Sequence, residues 1–128
     1  MKARYTVALS VLAGAALGAV AVQGLHAQAK PKIYYVAEIE VTNLDAWQKE
    51  YAPKAQALIK ESGGRLLAAG QNVTSLEGAP PKTRVAIQVW DSMDQIKAWR
   101  DSPTFKALQP LREKYGKVRA FTVEGLPN

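Results

Sequence analysis

The sequence predicts an α+β domain of ferredoxin-like βαββαβ order, with a four-stranded antiparallel sheet and both helical segments on one face. Three observations predict it. Residues 33–41 and 83–90 alternate apolar and polar side chains, the period of a strand with one buried face. After each of these strands comes a capping pattern followed by apolar residues at three- and four-residue spacing, the stripe of an amphipathic helix. Glycine and proline then punctuate the chain at Gly63-Gly64, at Gly78-Ala79-Pro80-Pro81 and at Gly116, where the remaining segments must turn.

In the first strand Ile33, Tyr35, Ala37, Ile39 and Val41 point one way, and Tyr34, Val36, Glu38 and Glu40 the other. Thr42-Asn43-Leu44-Asp45 reads as a capping box with Thr42 as the cap. Leu44, Trp47, Tyr51, Ala55 and Leu58 form the stripe of the first helix. Pro53 should kink it, because the ring removes one backbone bond and crowds the preceding turn. Gly63-Gly64 ends it. Residues 65–69 and 73–76 read as a second strand, bent or bulged near Gly70. In the third strand Val85, Ile87 and Val89 share one face, and Arg84, Ala86, Gln88 and Trp90 the other. Ser92-Met93-Asp94-Gln95 is a second capping box, with Ile96 and Trp99 at helical spacing behind it. Ser102-Pro103 restarts a helix, with proline at its first position. Phe105, Leu108, Leu111 and Tyr115 give its stripe, Pro110 a break and Gly116 its end. Residues 118–124 read as the last strand.

The start of the chain has a different character. Residues 1–5 carry Lys2 and Arg4 and no acid. Residues 6–22 are uncharged and apolar, and Ala27-Gln28-Ala29 places small residues where a signal peptidase reads. This pattern predicts a secretory signal over 1–29, cleaved after Ala29, with a mature domain over 30–128 in the periplasm or outside the cell and no membrane attachment after cleavage. Removing Lys2 and Arg4 from the 17 basic residues leaves 15 against 11 acidic ones, a net charge of +4. That charge is spread along the chain and favours solubility over any particular partner.

Composition removes many chemistries. The chain has no cysteine, and its one histidine, His26, falls in the signal. Ser-His and Cys-His nucleophilic catalysis, histidine- or cysteine-ligated zinc and histidine- or cysteine-ligated haem are therefore excluded from the mature domain. No P-loop, dinucleotide fingerprint or calcium loop occurs. The expectation is a domain with no cofactor and no metal. Nucleic-acid recognition modules share the topology but stack bases on aromatic residues of the third strand, and residues 83–89 contain none. No nucleic-acid partner is expected.

Two helical segments cover only one face of a sheet. If the more apolar registers of the first and third strands take that face, the opposite face collects Tyr34, Val36, Glu38, Glu40, Arg84, Ala86, Gln88 and Trp90. A patch of that character predicts contact with the same face of a second copy, or a cavity between the two. The ligand-binding candidates are Glu38, Arg84, Gln88 and Trp90. Glu38 is the one catalytic candidate, as a proton acceptor beside Arg84, since paired environments can split carboxylates into acid and base; the plainer reading of Glu38 and Glu40 is an ion pair, or two solvated acids at the sheet edge. Trp47 and Trp99 lie on helical stripes and are assigned to the core; Arg100 and Arg112 could bind an anionic substrate, but as lone basic residues on helices they are assigned to the solvated surface.

Several segments, in this order and spacing, resemble a known bacterial family: Tyr34-Tyr35-Val36-Ala37, Gly63-Gly64-Arg65-Leu66-Leu67-Ala68, Leu76-Glu77-Gly78, Arg84-Val85-Ala86-Ile87 leading into Trp90-Asp91-Ser92, Ala98-Trp99 with Ser102-Pro103, and Val123-Glu124-Gly125. Together they resemble the family of domain of unknown function 1330, over about residues 33–126. The resemblance implies a dimeric α/β barrel and no established reaction. It also implies a Glu where Gln88 stands and a Tyr where Arg100 and Phe105 stand, so this chain lacks part of any site the family builds from those groups. Two functions follow as expectations. The first is a non-catalytic homodimer that binds a small molecule or a protein. The alternative is a cofactor-independent oxygenase or isomerase acting on a small acidic or aromatic compound.

Overall fold

The computed structural model describes residues 30–127. The predicted signal over 1–29, its cleavage point after Ala29 and His26 all lie outside the described residues. The unit considered below is Lys32–Gly125. Its strands are β1 (Ile33–Val41), β2 (Arg65–Gly70), β3 (Arg84–Trp90) and β4 (Gly116–Glu124). They lie in the order β2-β3-β1-β4, with every neighbouring pair antiparallel. Its helices are α1 (Leu44–Ala46), which continues through a π turn (Trp47–Tyr51) into α2 (Ala52–Glu61), then α3 (Met93–Asp101) and α4 (Pro103–Tyr115). This is the ferredoxin-like arrangement that the alternating segments and capping patterns predict.

The helices cover the face of β1 that carries Tyr35, Ala37 and Ile39. There Trp47, Tyr51, Leu58, Ile59, Ile96, Trp99 and Phe105 join them in one buried core. Trp99 sits at its centre, with ring centroids 5.3 Å from Tyr35, 5.0 Å from Trp90 and 5.0 Å from Phe105. Aromatic pairs in such geometries add roughly 0.5–1.5 kcal/mol each beyond the area they bury.

The predicted face assignment of β3 is reversed. Tyr35 pairs with Gln88, Ala37 with Ala86, Ile39 with Arg84 and Ile33 with Trp90. Directly paired residues share a face, so Arg84, Gln88 and Trp90 lie beneath the helices and are buried. Val85, Ile87 and Val89 face the other way, opposite Glu38, Val36 and Tyr34. On the far side of β1 the same face continues as Arg119, Phe121 and Val123. The physical reason is that side-chain alternation separates two faces without saying which one the helices cover, and a slip of one residue exchanges them.

The helix ends show smaller differences. Asn43 rather than Thr42 caps α1, its Oδ1 accepting from the Ala46 N–H at 3.1 Å, while the Thr42 N–H donates to the Tyr115 carbonyl at 2.9 Å. Pro53 is accommodated by the π turn immediately before it, in which the Ala52 N–H reaches the Trp47 carbonyl five residues back. Pro110 does not break α4, which runs through it, held by Leu108 and Leu111 against the core. Ser92 and Ser102 cap α3 and α4, their Oγ atoms accepting from the Gln95 and Phe105 N–H groups, each at 3.2 Å. Residues 73–76 are not a strand, since β2 ends at Gly70. The bulge lies between Leu66 and Ala68. Val73 and Leu76 are exposed and have no second row of apolar residues to bury.

Two glycines are required for different reasons. Gly63 adopts φ +101° and lets the Gly64 N–H close back on the Ile59 carbonyl at 2.9 Å, ending α2 in a Schellman turn. Gly64 is needed for space, because a Cβ there would lie 2.5 Å from carbons of the Trp90 ring. Gly64→Ala is therefore expected to cost about 1–3 kcal/mol by overpacking. In a domain of this size that lowers the Tm by roughly 5–20 °C, which differential scanning calorimetry measures.

Candidate functional site

With β3 reversed, Arg84 and Gln88 lie between the sheet and its own helices rather than on the face expected to meet a second copy. A cavity of about 70 Å3 lies between the sheet and the helices, room for on the order of five waters or a small planar group. β3 contributes Arg84 and Gln88 to its wall, β1 contributes Tyr35, the π turn contributes Tyr51, α3 contributes Trp99 and α4 contributes Arg112. The remaining wall is largely apolar, including Trp47, Phe105 and Leu108.

Its polar groups are chiefly donors. Arg84 is 8% exposed as a residue, and its side-chain partner is the Gln71 Oε1, a long contact at 3.4 Å. Gln88 Oε1 accepts from the Trp90 indole N–H at 2.8 Å. An indole N–H only donates, so this contact fixes the amide orientation and leaves the Gln88 NH2 as the group still available. The Trp99 indole N–H is buried without a partner, a state that costs roughly 1–3 kcal/mol. Burial pulls the Arg84 pKa below its ordinary value. Burial also pushes the Tyr51 hydroxyl up, opposed by the Arg112 guanidinium beside it.

Acceptors of matching charge are missing. Among the described residues, no carboxylate lines the cavity. Among the described residues, ion pairs join Lys32 to Asp91, Lys49 to Asp45, Lys82 to Glu40 and Arg119 to Glu38. Arg84, Arg100 and Arg112 take part in none of them. Arg100 and Arg112 instead lie over the Phe105 ring, at 5.1 and 5.6 Å from its centroid, and Arg100 Nη1 donates to the Tyr35 hydroxyl at 2.7 Å. Without carboxylate, imidazole or thiolate in its wall the cavity is a poor metal site. A guanidinium, an idle indole N–H and apolar walls fit a small organic anion.

The predicted constellation is thus assembled only in part. Arg84 and Gln88 meet in the cavity wall. Trp90, expected to line a pocket, is instead core: it is 1% exposed, packed on Trp99 and tied to Gln88. Glu38 does not meet Arg84. It lies on the opposite face of the sheet and receives Arg119 Nε at 2.7 Å and Nη2 more closely still, because its neighbours in the ladder are Val85 and Arg119. Trp47 and Trp99, assigned to the core, are both core and cavity wall.

Arg100 and Arg112, read as solvated, face inward. The signal for both lies in the sequence. Arg100 follows Ile96 by four residues, and Arg112 follows Leu108 by four, which puts each guanidinium on its helix's apolar stripe.

Comparison with known proteins agrees with the fold. A protein of unknown function from Rhodopseudomonas palustris superposes with a TM-score of 0.59 at 15% identity, covering 77% of this chain and 85% of its own. SnoaB, a cofactor-independent oxygenase from Streptomyces nogalater, gives 0.57 at 12% identity, covering 77% and 96%. HapK from Hahella chejuensis gives 0.54 at 16% identity, covering 75% and 94%. At these identities the likeness concerns the fold alone. None of the curated proteins compared matches the chain in sequence. A family model described as Domain of unknown function (DUF1330) matches residues 32–126, nearly all of the described unit, and the chain belongs to that family.

Proposed function

We propose that the domain is a non-catalytic homodimer whose subunits each bind a small anion with a flat apolar body in the interior cavity. One observation carries this reading: among the described residues Arg84, in the cavity wall, takes part in no ion pair, and no carboxylate lines that wall. A buried charge without a counter-ion is expensive, and an arriving carboxylate would supply the missing acceptor to a bidentate donor. The unpartnered Trp99 N–H and the aromatic wall fit the rest of such a ligand. Residues 1–29 support export, so the ligand would be met in the periplasm or outside the cell.

The competing reading is a cofactor-independent oxygenase or isomerase, the first of which is the activity carried by SnoaB on a similar fold. Proton abstraction needs a base with a pKa near the working pH. The titratable groups in the wall are tyrosines and arginines, and burial raises Tyr51 above its usual value. The geometry therefore favours holding an anion over generating one. Turnover of a bound phenolic acid under oxygen would favour the enzyme.

Pairing of two copies rests on the open sheet face. Val36, Val85, Ile87, Val89, Phe121 and Val123 form its apolar surface, with Phe121 46% and Val123 55% exposed. A contiguous apolar patch of this kind is unusual on a monomer. The face now holds more apolar residues than the sequence reading gave it, because the Val85 register turned outward.

Arg84→Met separates binding from folding. It removes a buried charge, so the Tm should rise or hold. Affinity for benzoate should fall roughly 10–100-fold, the loss of one charged hydrogen bond or bidentate pair, as isothermal titration calorimetry measures. A variant that binds benzoate as well as the parent would refute the anion site. Benzoate affinity should also stay level from about pH 6 to pH 9. Tyr51, raised above its ordinary value of 10.0, remains neutral there. Binding weakens only as the ligand itself protonates at about pH 4. For pairing, sedimentation velocity should report a dimer for the parent and a folded monomer for Ile87→Glu; a parent that stays monomeric at high concentration would refute it.

A further inference from the structure

A second cationic site adjoins the cavity. An open groove of about 560 Å3 runs between α3, α4 and the helix-side face of β4, over Ala120 and Thr122. Lys97, Arg100 and Arg112 line it, and among the described residues no acidic one does. Tyr35, Arg112 and Val118 belong both to this groove and to the interior cavity. The two spaces are therefore neighbours that share a wall.

The groove's arginines are positioned rather than free. Arg100 is held by its bond to the Tyr35 hydroxyl and by the Phe105 ring. Arg112 lies over the same ring. Two guanidiniums against one ring, with no carboxylate paired to either among the described residues, repel each other. An anion between or beside them relieves that repulsion. Arg100 uses Nη1 on Tyr35, which leaves the rest of its planar fork to donate.

The sheet gives a length scale. Arg84 lies level with Ile39, and Arg100 is tied to Tyr35. These are four residues apart along β1, roughly 13 Å at the rise of an antiparallel strand. Building on the anion-binding reading above, we infer that the ligand carries two acidic groups at opposite ends of a flat apolar body. One meets Arg84 in the cavity, and the other meets Arg100 and Lys97 in the groove. The chemical class is an elongated aromatic dicarboxylate, or a compound of the same charge and length.

Calorimetric titration of the exported-length domain (residues 30–128) with benzoate, terephthalate and naphthalene-2,6-dicarboxylate tests this. At least one diacid should bind ten-fold or more tightly than benzoate. The surface variant Lys97→Ala should weaken that diacid while benzoate changes by no more than two- to three-fold, and Arg100→Met should weaken the diacid more than it weakens benzoate. Should Arg100→Met disturb folding through Tyr35, the Lys97→Ala comparison still decides. Diacids that bind no better than benzoate, or variants that weaken benzoate and diacid equally, would overturn the second subsite while leaving the Arg84 site standing. Failure of benzoate and both diacids to bind at all would overturn both.

Discussion

The antiparallel register between β1 and β3 is the constraint from which the rest of this structure follows. By setting Tyr35 opposite Gln88 and Ile39 opposite Arg84, it brings a guanidinium and an amide under the helices and turns three branched residues outward. Each consequence has its own energetic sign. The polar pair beneath the helices costs stability, since a charge is desolvated without a counter-ion. The valines and isoleucine on the open face leave apolar surface in water. A chain optimised only to fold as a monomer would carry the opposite register of residues on β3. The proposed anion in the cavity and the proposed pairing of two copies would offset both costs together.

The packing around that register is built to hold a space open. Trp99, Trp90, Tyr35 and Phe105 form a connected aromatic cluster, and Gly64 lets the backbone approach the Trp90 ring where any side chain would collide. Trp90 in turn occupies the Gln88 carbonyl. The outcome is a rigid floor and an amide whose free end is a donor. Tyr51 reaches the same space from the π turn. The extra residue in that turn resolves the missing proline N–H at Pro53 and sets where Trp47 and Tyr51 stand in the wall.

Charge follows the same division. The acids of the chain that are ion-paired sit at exposed or open-face positions, with Glu38 matched to Arg119 across β1 and β4. Among the described residues, Arg84, Arg100 and Arg112 on the helix side take part in no ion pair.

Local chemistry was legible from the sequence wherever a segment's character is set by its own residues. The alternation in residues 33–41, the serine caps at Ser92 and Ser102 and the glycine stop at Gly63 each follow from backbone and side-chain preferences that need no distant partner, and together they determine the ferredoxin-like order. Even Arg100 and Arg112 carried their signal, at four-residue spacing from Ile96 and Leu108. The direction in which β3 faces was decided elsewhere. Val85, Ile87 and Val89 are the more apolar row, and burial against the helices is the natural reading of that row in a monomer. Two apolar-looking faces on one strand mean two coverings, and the sequence does not state which is the helix layer. Only the ladder with β1 decides it, because pairing shifts in steps that exchange faces. That choice separated Glu38 from Arg84 and placed the guanidinium in a cavity that one subunit closes with its own helices.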